Sequence, residues 1–283
     1  MKILLWAGNK PIPELLRVAE ELKDRGVLVD FGVLPETLTQ CDKKFWDSFQ
    51  QYDLVYYRTG LGEALKAELG LQIDNKVPIL NRSVLSNYLI SNKLYQAVQA
   101  QKLGIKIPKT VPRPIDFKET AQSLGVPFVF KAAHGIQGDQ VYLIDTVTDF
   151  EEAKKCTKGD TLAQEYIPNA GDFRALFFAD KVKHVYKRVP AQGSFKANVS
   201  QGGLVERVTD VALLKSLSAI TEKICRHYEL DVAGIDVIEH LVTKELYFIE
   251  SNINPGWRGL EESGDERVSA EVAEWLIGLA AKN

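Results

Sequence analysis

The chain has 283 residues, 45% of them apolar and 26% charged, with a net charge of -3. That length suggests two or three lobes, each able to bury a core, and the balanced charge argues against a wholesale nucleic-acid surface while allowing a local basic cleft. No stretch approaches the roughly 20 apolar residues of a membrane span, and Met1-Lys2-Ile3-Leu4-Leu5-Trp6 is too short for a signal peptide, so a soluble cytoplasmic protein is expected.

Residues 1 to about 83 alternate apolar runs with helical patterns. Ile3-Leu4-Leu5-Trp6 precedes a helix from about Pro13 to Arg25, and Val27-Leu28-Val29-Asp30-Phe31, Asp53-Leu54-Val55-Tyr56-Tyr57 and Val77-Pro78-Ile79-Leu80 follow as strands. Such alternation predicts an open α/β lobe with a parallel sheet, whose ligands sit beyond the carboxyl ends of its strands. Gly8-Asn9-Lys10, Arg58-Thr59-Gly60 and Asn81-Arg82-Ser83 occupy that edge. Arg58 is therefore a candidate for an anionic substrate, with a surface loop arginine as the alternative.

Cys41, Cys156 and Cys225 are odd in number and far apart, which predicts buried free thiols in a reducing compartment. Ser91-Asn92 caps a helix over roughly Leu94 to Leu103 and places Lys93 at its start, where the helix dipole mildly disfavours a cation. A strand then ends at Lys131, and a loop with Gly135 and Gly138 leads into Val141-Tyr142-Leu143-Ile144, so a β-hairpin with a glycine-bearing tip is expected. Backbone N–H groups in such a tip can reach phosphate oxygens, although turns also need glycine for backbone reasons alone.

Thr161 to Pro168 reads as a strand, and in Asp172-Phe173-Arg174 the two charged residues share a face. Residues 189–203 form a polar, glycine-bearing loop with the composition of a lid. Leu213, Leu217, Ile220, Ile224 and Tyr228 make a core-facing helical stripe, as do Val268, Val272, Trp275, Leu276 and Leu279 in the last helix. The four histidines show no metal-ligand spacing.

Two segments, Gly234-Ile235-Asp236-Val237-Ile238 and Leu246-Tyr247-Phe248-Ile249-Glu250-Ser251-Asn252, read as neighbouring antiparallel strands. Alternation puts Leu246, Phe248, Glu250 and Asn252 on one face, and a turn centred on Thr243 sets Asp236 opposite Glu250. Two carboxylates and an amide then converge with no basic residue inside either strand. Hard divalent cations such as Mg2+ take such oxygen ligands; the alternative is a solvated hairpin face.

Asn92-Lys93-Leu94, Phe130-Lys131, Gln164-Glu165-Tyr166-Ile167, Asp172-Phe173-Arg174, Arg188 through Asn198 to Gly202-Gly203, Gly234-Ile235-Asp236 and Glu250-Ser251-Asn252 follow one another in a telling order. By that order and spacing the chain resembles the ATP-grasp ligases, within them the RimK-type and glutathione-synthetase-like carboxylate–amine ligases, most specifically from Asn92 to Gly264. The resemblance implies an α/β ATP-grasp fold: an N-terminal open α/β lobe (1–85), then two α+β lobes (86–160 and 161–283) that clasp ATP.

It also implies roles. Lys93 and Lys131 hold ATP phosphates under Gly135 and Gly138; Gln164, Glu165, Tyr166 and Ile167 line the adenine hinge, and Asp172 meets the ribose. Arg174 and Arg188 face the γ-phosphate and acylphosphate, with Lys196 and Asn198 in the lid. Asp236, Glu250 and Asn252 ligate Mg2+ or Mn2+. The implied reaction joins a small-molecule or peptide carboxylate to an amine in a homo-oligomeric enzyme, dimer or tetramer, with no nucleic acid or membrane partner. An ATP-grasp phosphotransferase and a catalytically silent ATP-binding module are the alternatives.

The chain departs from RimK-type enzymes at Lys196 and Gln201, where these often carry Arg, so substrate identity is not carried over. Asn254-Pro255-Gly256-Trp257-Arg258-Gly259 also replaces other family loops. Arg258 is a candidate for a substrate carboxylate and Trp257 for a packing wall, against a structural turn.

Overall fold

Alternating buried strands and an amphipathic helix build the first lobe. In the computed structural model, which describes residues 1–6, 12–32, 40–58, 77–83, 87–135, 140–190, 204–264 and 267–282, these are β1 (Lys2–Trp6), α1 (Pro13–Asp24), β2 (Leu28–Gly32), α2 (Lys43–Asp47), β3 (Leu54–Tyr57) and β4 (Ile79–Leu80). They form a parallel sheet of order β2-β1-β3-β4. β1 and β3 are apolar on both faces because both are covered. Ile3, Leu5, Leu54 and Tyr56 pack on α1, while Leu4, Trp6, Val55 and Tyr57 pack on Trp46 and Phe49.

Helix α3 (Lys93–Lys102) is capped by Asn92 Oδ1, which accepts from Leu94 and Tyr95 N–H at 2.9 and 3.0 Å; it precedes the second sheet in the chain but packs through Tyr95 and Ala100 with Phe177 and Phe248. β5 (Thr110–Pro112), α4 (Phe117–Leu124), β6 (Phe128–Ala132), β7 (Val141–Ile144), α5 (Val147–Cys156) and β8 (Thr161–Glu165) follow. The antiparallel sheet has the order β5-β8-β6-β7. Phe128, Phe130 and Ala163 pack against Phe150 on one face. Alternation then turns Val129, Lys131, Leu162 and Gln164 to the opposite face.

β9 (Asp172–Phe178), β10 (Lys181–Val189), β11 (Leu204–Arg207), α6 (Val211–His227), β12 (Ala233–Glu239), β13 (Leu246–Asn252), α7 (Arg258–Ser263) and α8 (Val268–Ala280) complete the fold. The sheet runs β11-β10-β9-β12-β13. Phe173, Phe177, Ile235, Val237 and Phe248 bury against α6, through the stripe of Leu217, Ile224 and Tyr228. The other face is divided. Leu176, Phe178 and Tyr186 join the core of β1, β3, α1 and α8, while Asp172, Arg174, Arg188 and Asp236 lie beyond it as a charged half.

The first and third lobes are also riveted by Asn81. Its Oδ1 accepts from Asp231 and Val232 N–H at 3.1 and 2.9 Å, and its Nδ2 donates to Ile253 O at 3.1 Å. The edge position anticipated for ligands is thus used for lobe contact.

The hairpin that carries the acids differs from strict alternation. Asp236 does pair with Glu250, but Val237 pairs with Phe248, so the register slips by one residue at Ile249. Leu246 and Phe248 therefore face the core, whereas Glu250 lies opposite Asp236 on the charged face. The expected single face of Leu246, Phe248, Glu250 and Asn252 does not form. The bulge lets one strand serve the core and the site.

The cysteines also depart from expectation: all are free, but only Cys225 is buried, Cys41 being half-buried and Cys156 exposed. Among the described residues no helix is long and apolar enough to cross a membrane.

Candidate active site

Asp236 is central, 2% exposed, and bonded by side chains from three neighbouring strands. Arg174 donates through Nε and Nη2 to its two oxygens, both at 2.7 Å. Arg188 Nη2 donates to Asp236 Oδ2 at 2.8 Å, and Arg188 also grips Asp172 through Nε and Nη2 at 2.5 and 2.8 Å. Burial by itself would push the Asp236 carboxyl up; the two guanidiniums override it and hold it at about 2. Asp172 goes the other way, its burial and the neighbouring Asp236 charge outweighing Arg188, so its carboxyl is raised.

Two glycines allow these close approaches. A Cβ at Gly171, where φ is +108°, would lie 2.2 Å from Arg188 O, and one at Gly234 would lie 2.7 Å from Pro255 Cβ and 3.4 Å from Arg174 Cδ. The glycine of the Gly234-Ile235-Asp236 motif thus leaves room for Pro255, with the Arg174 side chain passing at contact distance.

Glu250 and Asn252 reach the same point from β13. Asn252 Nδ2 donates to Asp236 Oδ2 at 3.1 Å and to Glu250 Oε1 at 3.2 Å. On the other side of Glu250, Lys93 Nζ stands 3.4 Å from Oε2 and donates to Gly135 O at 2.9 Å. Lys131 projects from the second sheet, buried; desolvation pushes its ammonium down to about 8, with Lys93 adding to the push and Glu250 opposing it. Four cationic side chains thus meet three carboxylates, an arrangement with positive charge to spare for an anion.

The oxygen donors fit a hard divalent cation. Asp236, Glu250 and Asn252 converge within hydrogen-bond reach, as carboxylates and an amide suited to Mg2+. Among the described residues no cluster of three or more His, Cys, Asp or Glu side chains offers a competing metal site.

Other anticipated residues stand apart. Gln164 shares the sheet face of Lys131 but gives its amide to Thr110 Oγ1 at 2.9 Å. The Glu165 carboxylate accepts from Lys109 N–H at 2.7 Å, so its side chain braces the strand entering the hinge. Tyr166 and Ile167 follow directly at the end of β8, with Ile167 buried. Asp172 has both oxygens on Arg188. Arg58 lies 4.5 Å over the Trp257 ring, 4% exposed, with Nη2 donating to Pro255 O. Among the described residues its Nε and Nη1 have no acceptor in close hydrogen-bond geometry, and its guanidinium lies near the buried Tyr56 hydroxyl. Trp257 is a core residue bonded to Ser269, whereas Arg258 is half-exposed beside Glu262. Gly138, Lys196 and Asn198, with most of the anticipated lid, lie outside the described residues.

Sequence reasoning missed the cross-strand pairing of Arg174 with Asp236, though the shared face of Asp172 and Arg174 was its signal. It also missed Gln96, buried on α3, whose signal is an amide on a face otherwise lined by Ala97 and Ala100.

Lys93 at the start of α3 and Lys131 of the second sheet, gathered beside the arginines and oxygen donors of the third sheet, define an ATP-grasp protein. Residues 90–276 match the RimK-like ATP-grasp domain, and the chain belongs to that family. A "Probable alpha-L-glutamate ligase" of Marinobacter nauticus is 26% identical over 97% of this chain and 95% of its own length. One from Saccharophagus degradans is 30% identical over 68% of this chain, and the match spans only 65% of that relative. The fold is also that of the ATP-grasp ligase PsnB, solved with a minimal precursor, Mg and ADP: TM-score 0.73 at 15% identity, covering 98% of this chain and 97% of that one.

Proposed function

We propose that this protein is an ATP-dependent carboxylate–amine ligase that forms an amide bond and releases ADP and phosphate. The observation that carries it is the meeting of Lys93 and Lys131 with Glu250, beside Asp236 under two arginines.

Lys93 and Lys131 bind the nucleotide phosphates, and the backbone at Glu165, Tyr166 and Ile167 borders the adenine. Asp236, Glu250 and Asn252 would hold Mg2+, which supplies charge neutralisation at the phosphates when bound. A substrate carboxylate oxygen attacks the γ-phosphorus, ADP leaves, and an acylphosphate forms. The amine nitrogen then attacks the acyl carbon and phosphate departs. Arg174 and Arg188 stabilise the charge that builds up on the transferring group, so no protein nucleophile is needed. Lys196 and Asn198 are assigned to the lid that keeps water from the acylphosphate.

Arg58, whose Nε and Nη1 have no close acceptor among the described residues, is assigned to a substrate carboxylate. The names of the curated relatives make L-glutamate the first substrate to try, as a free amino acid or in a peptide. Free thiols and ATP dependence fit a reducing cytoplasm.

The test is ADP and phosphate release with Mg-ATP against carboxylate and amine pairs, with mass spectrometry of products. Release that requires both partners, with a product lighter than their sum by one water, is expected. Release without an amine would instead identify a phosphotransferase.

A further inference from the structure

Gln96 lies one turn after Lys93 on the inner face of α3 and is 2% exposed. Its amide makes three bonds, all to backbone. Nε2 donates to Ile90 O at 2.7 Å and to Ser251 O at 2.9 Å, and Oε1 accepts from Ser251 N–H at 2.9 Å. Ser251 is held by both of its polar backbone groups on the outer edge of β13, where an adjacent strand would otherwise stand.

Ser251 is the residue between Glu250 and Asn252. Because strand side chains alternate, fixing its peptide groups fixes the plane from which both neighbours project. The ladder to β12 carries an extra residue at Ile249, immediately before Glu250, so the pairing on that side changes step there. Gln96 supplies a restraint at that slip. Lys93, on the same helix, touches Glu250 directly. One helix thus carries a phosphate-binding cation and sets the position of two oxygen donors.

We propose that Gln96 is a positioning residue for the cation site, fixing Glu250 and Asn252 relative to Lys93 so that cation and nucleotide phosphates bind as a unit. This rests on the nucleotide and cation roles assigned above. Partners behind metal ligands typically change affinity by roughly 10- to 100-fold when removed.

The experiment measures Mn2+ affinity of the ADP-bound protein by electron paramagnetic resonance, and ADP affinity in EDTA by calorimetry. Gln96→Leu is expected to weaken Mn2+ binding by about 10- to 100-fold while ADP affinity in EDTA stays near that of the wild type. Ser269→Ala, which removes the buried hydrogen bond from Trp257 Nε1, is expected to lower the melting temperature yet keep wild-type Mn2+ affinity. Wild-type Mn2+ binding by Gln96→Leu, or an equal loss in Ser269→Ala, overturns the proposal. If the wild-type ADP complex binds no Mn2+, the cation reading itself falls and the proposal with it. Should Gln96→Leu not fold, wild-type NMR decides: the Gln96 side-chain amide resonance shifts when Mg2+ is added to the ADP complex, and an unmoved resonance overturns the proposal.

Discussion

Arg174 holds both oxygens of Asp236, its register partner on the adjacent strand, at 2.7 Å. Removing it with Arg174→Ala leaves a buried carboxylate with Arg188 as its remaining cation. The expected loss is about 3 kcal/mol in urea unfolding at neutral pH, toward the low end for a broken buried pair because Arg188 still covers Oδ2. Arg174→Lys keeps the charge but cannot reproduce the two parallel bonds. Both variants should slow ADP release by on the order of 10²- to 10³-fold.

Glu250 tells a different story because it is partly exposed and sits on an edge strand. Glu250→Ala should leave the unfolding midpoint near that of the wild type while turnover disappears. ADP release at the wild-type rate would show that Glu250 is no part of the cation site.

Lys131 gives a pH signature. Its ammonium loses its proton through about 8 in the folded protein, against 10.5 ordinarily. Between those values the unfolded chain holds a proton that the native one has released, so this group makes stability rise with pH across that window. Phosphate oxygens favour the charged form, so nucleotide binding near pH 9 should take up protons. Calorimetry in two buffers of different ionisation heat reads that uptake, and Lys131→Met should abolish it.

Asn81 has φ +58°, which asparagine tolerates, so Asn81→Gly keeps the backbone and removes only the side chain. Two N–H groups and one carbonyl between the lobes then lose their partner. At roughly 1–3 kcal/mol for an unsatisfied buried group, a loss of about 3 kcal/mol is expected in urea unfolding. That is a large part of the ~5–15 kcal/mol that holds a typical domain together.

Much of this was legible in the chain. The α6 and α8 stripes pack as their spacing requires, and Asp236 does stand opposite Glu250, although the bulge at Ile249 and not the turn alone brings them together. The slip at Ile249 was not legible, because Leu246-Tyr247-Phe248-Ile249 is apolar at every position and period two leaves no mark of register there. The neutralising arginines were hidden for another reason. Arg174 lies 62 residues from Asp236, and such pairing is set by sheet order, which local pattern does not encode. Gln96 reads as one polar residue in a helix until the edge of β13 is placed against it.

The core that joins Ile3, Leu5 and Tyr56 to Val268, Val272 and Leu276 has a consequence for synthesis. A chain emerging amino terminus first exposes the floor of its opening sheet long before α8 exists to cover it. Until then α1 alone covers that face, and a chain ending before residue 268 would keep part of this core open to water.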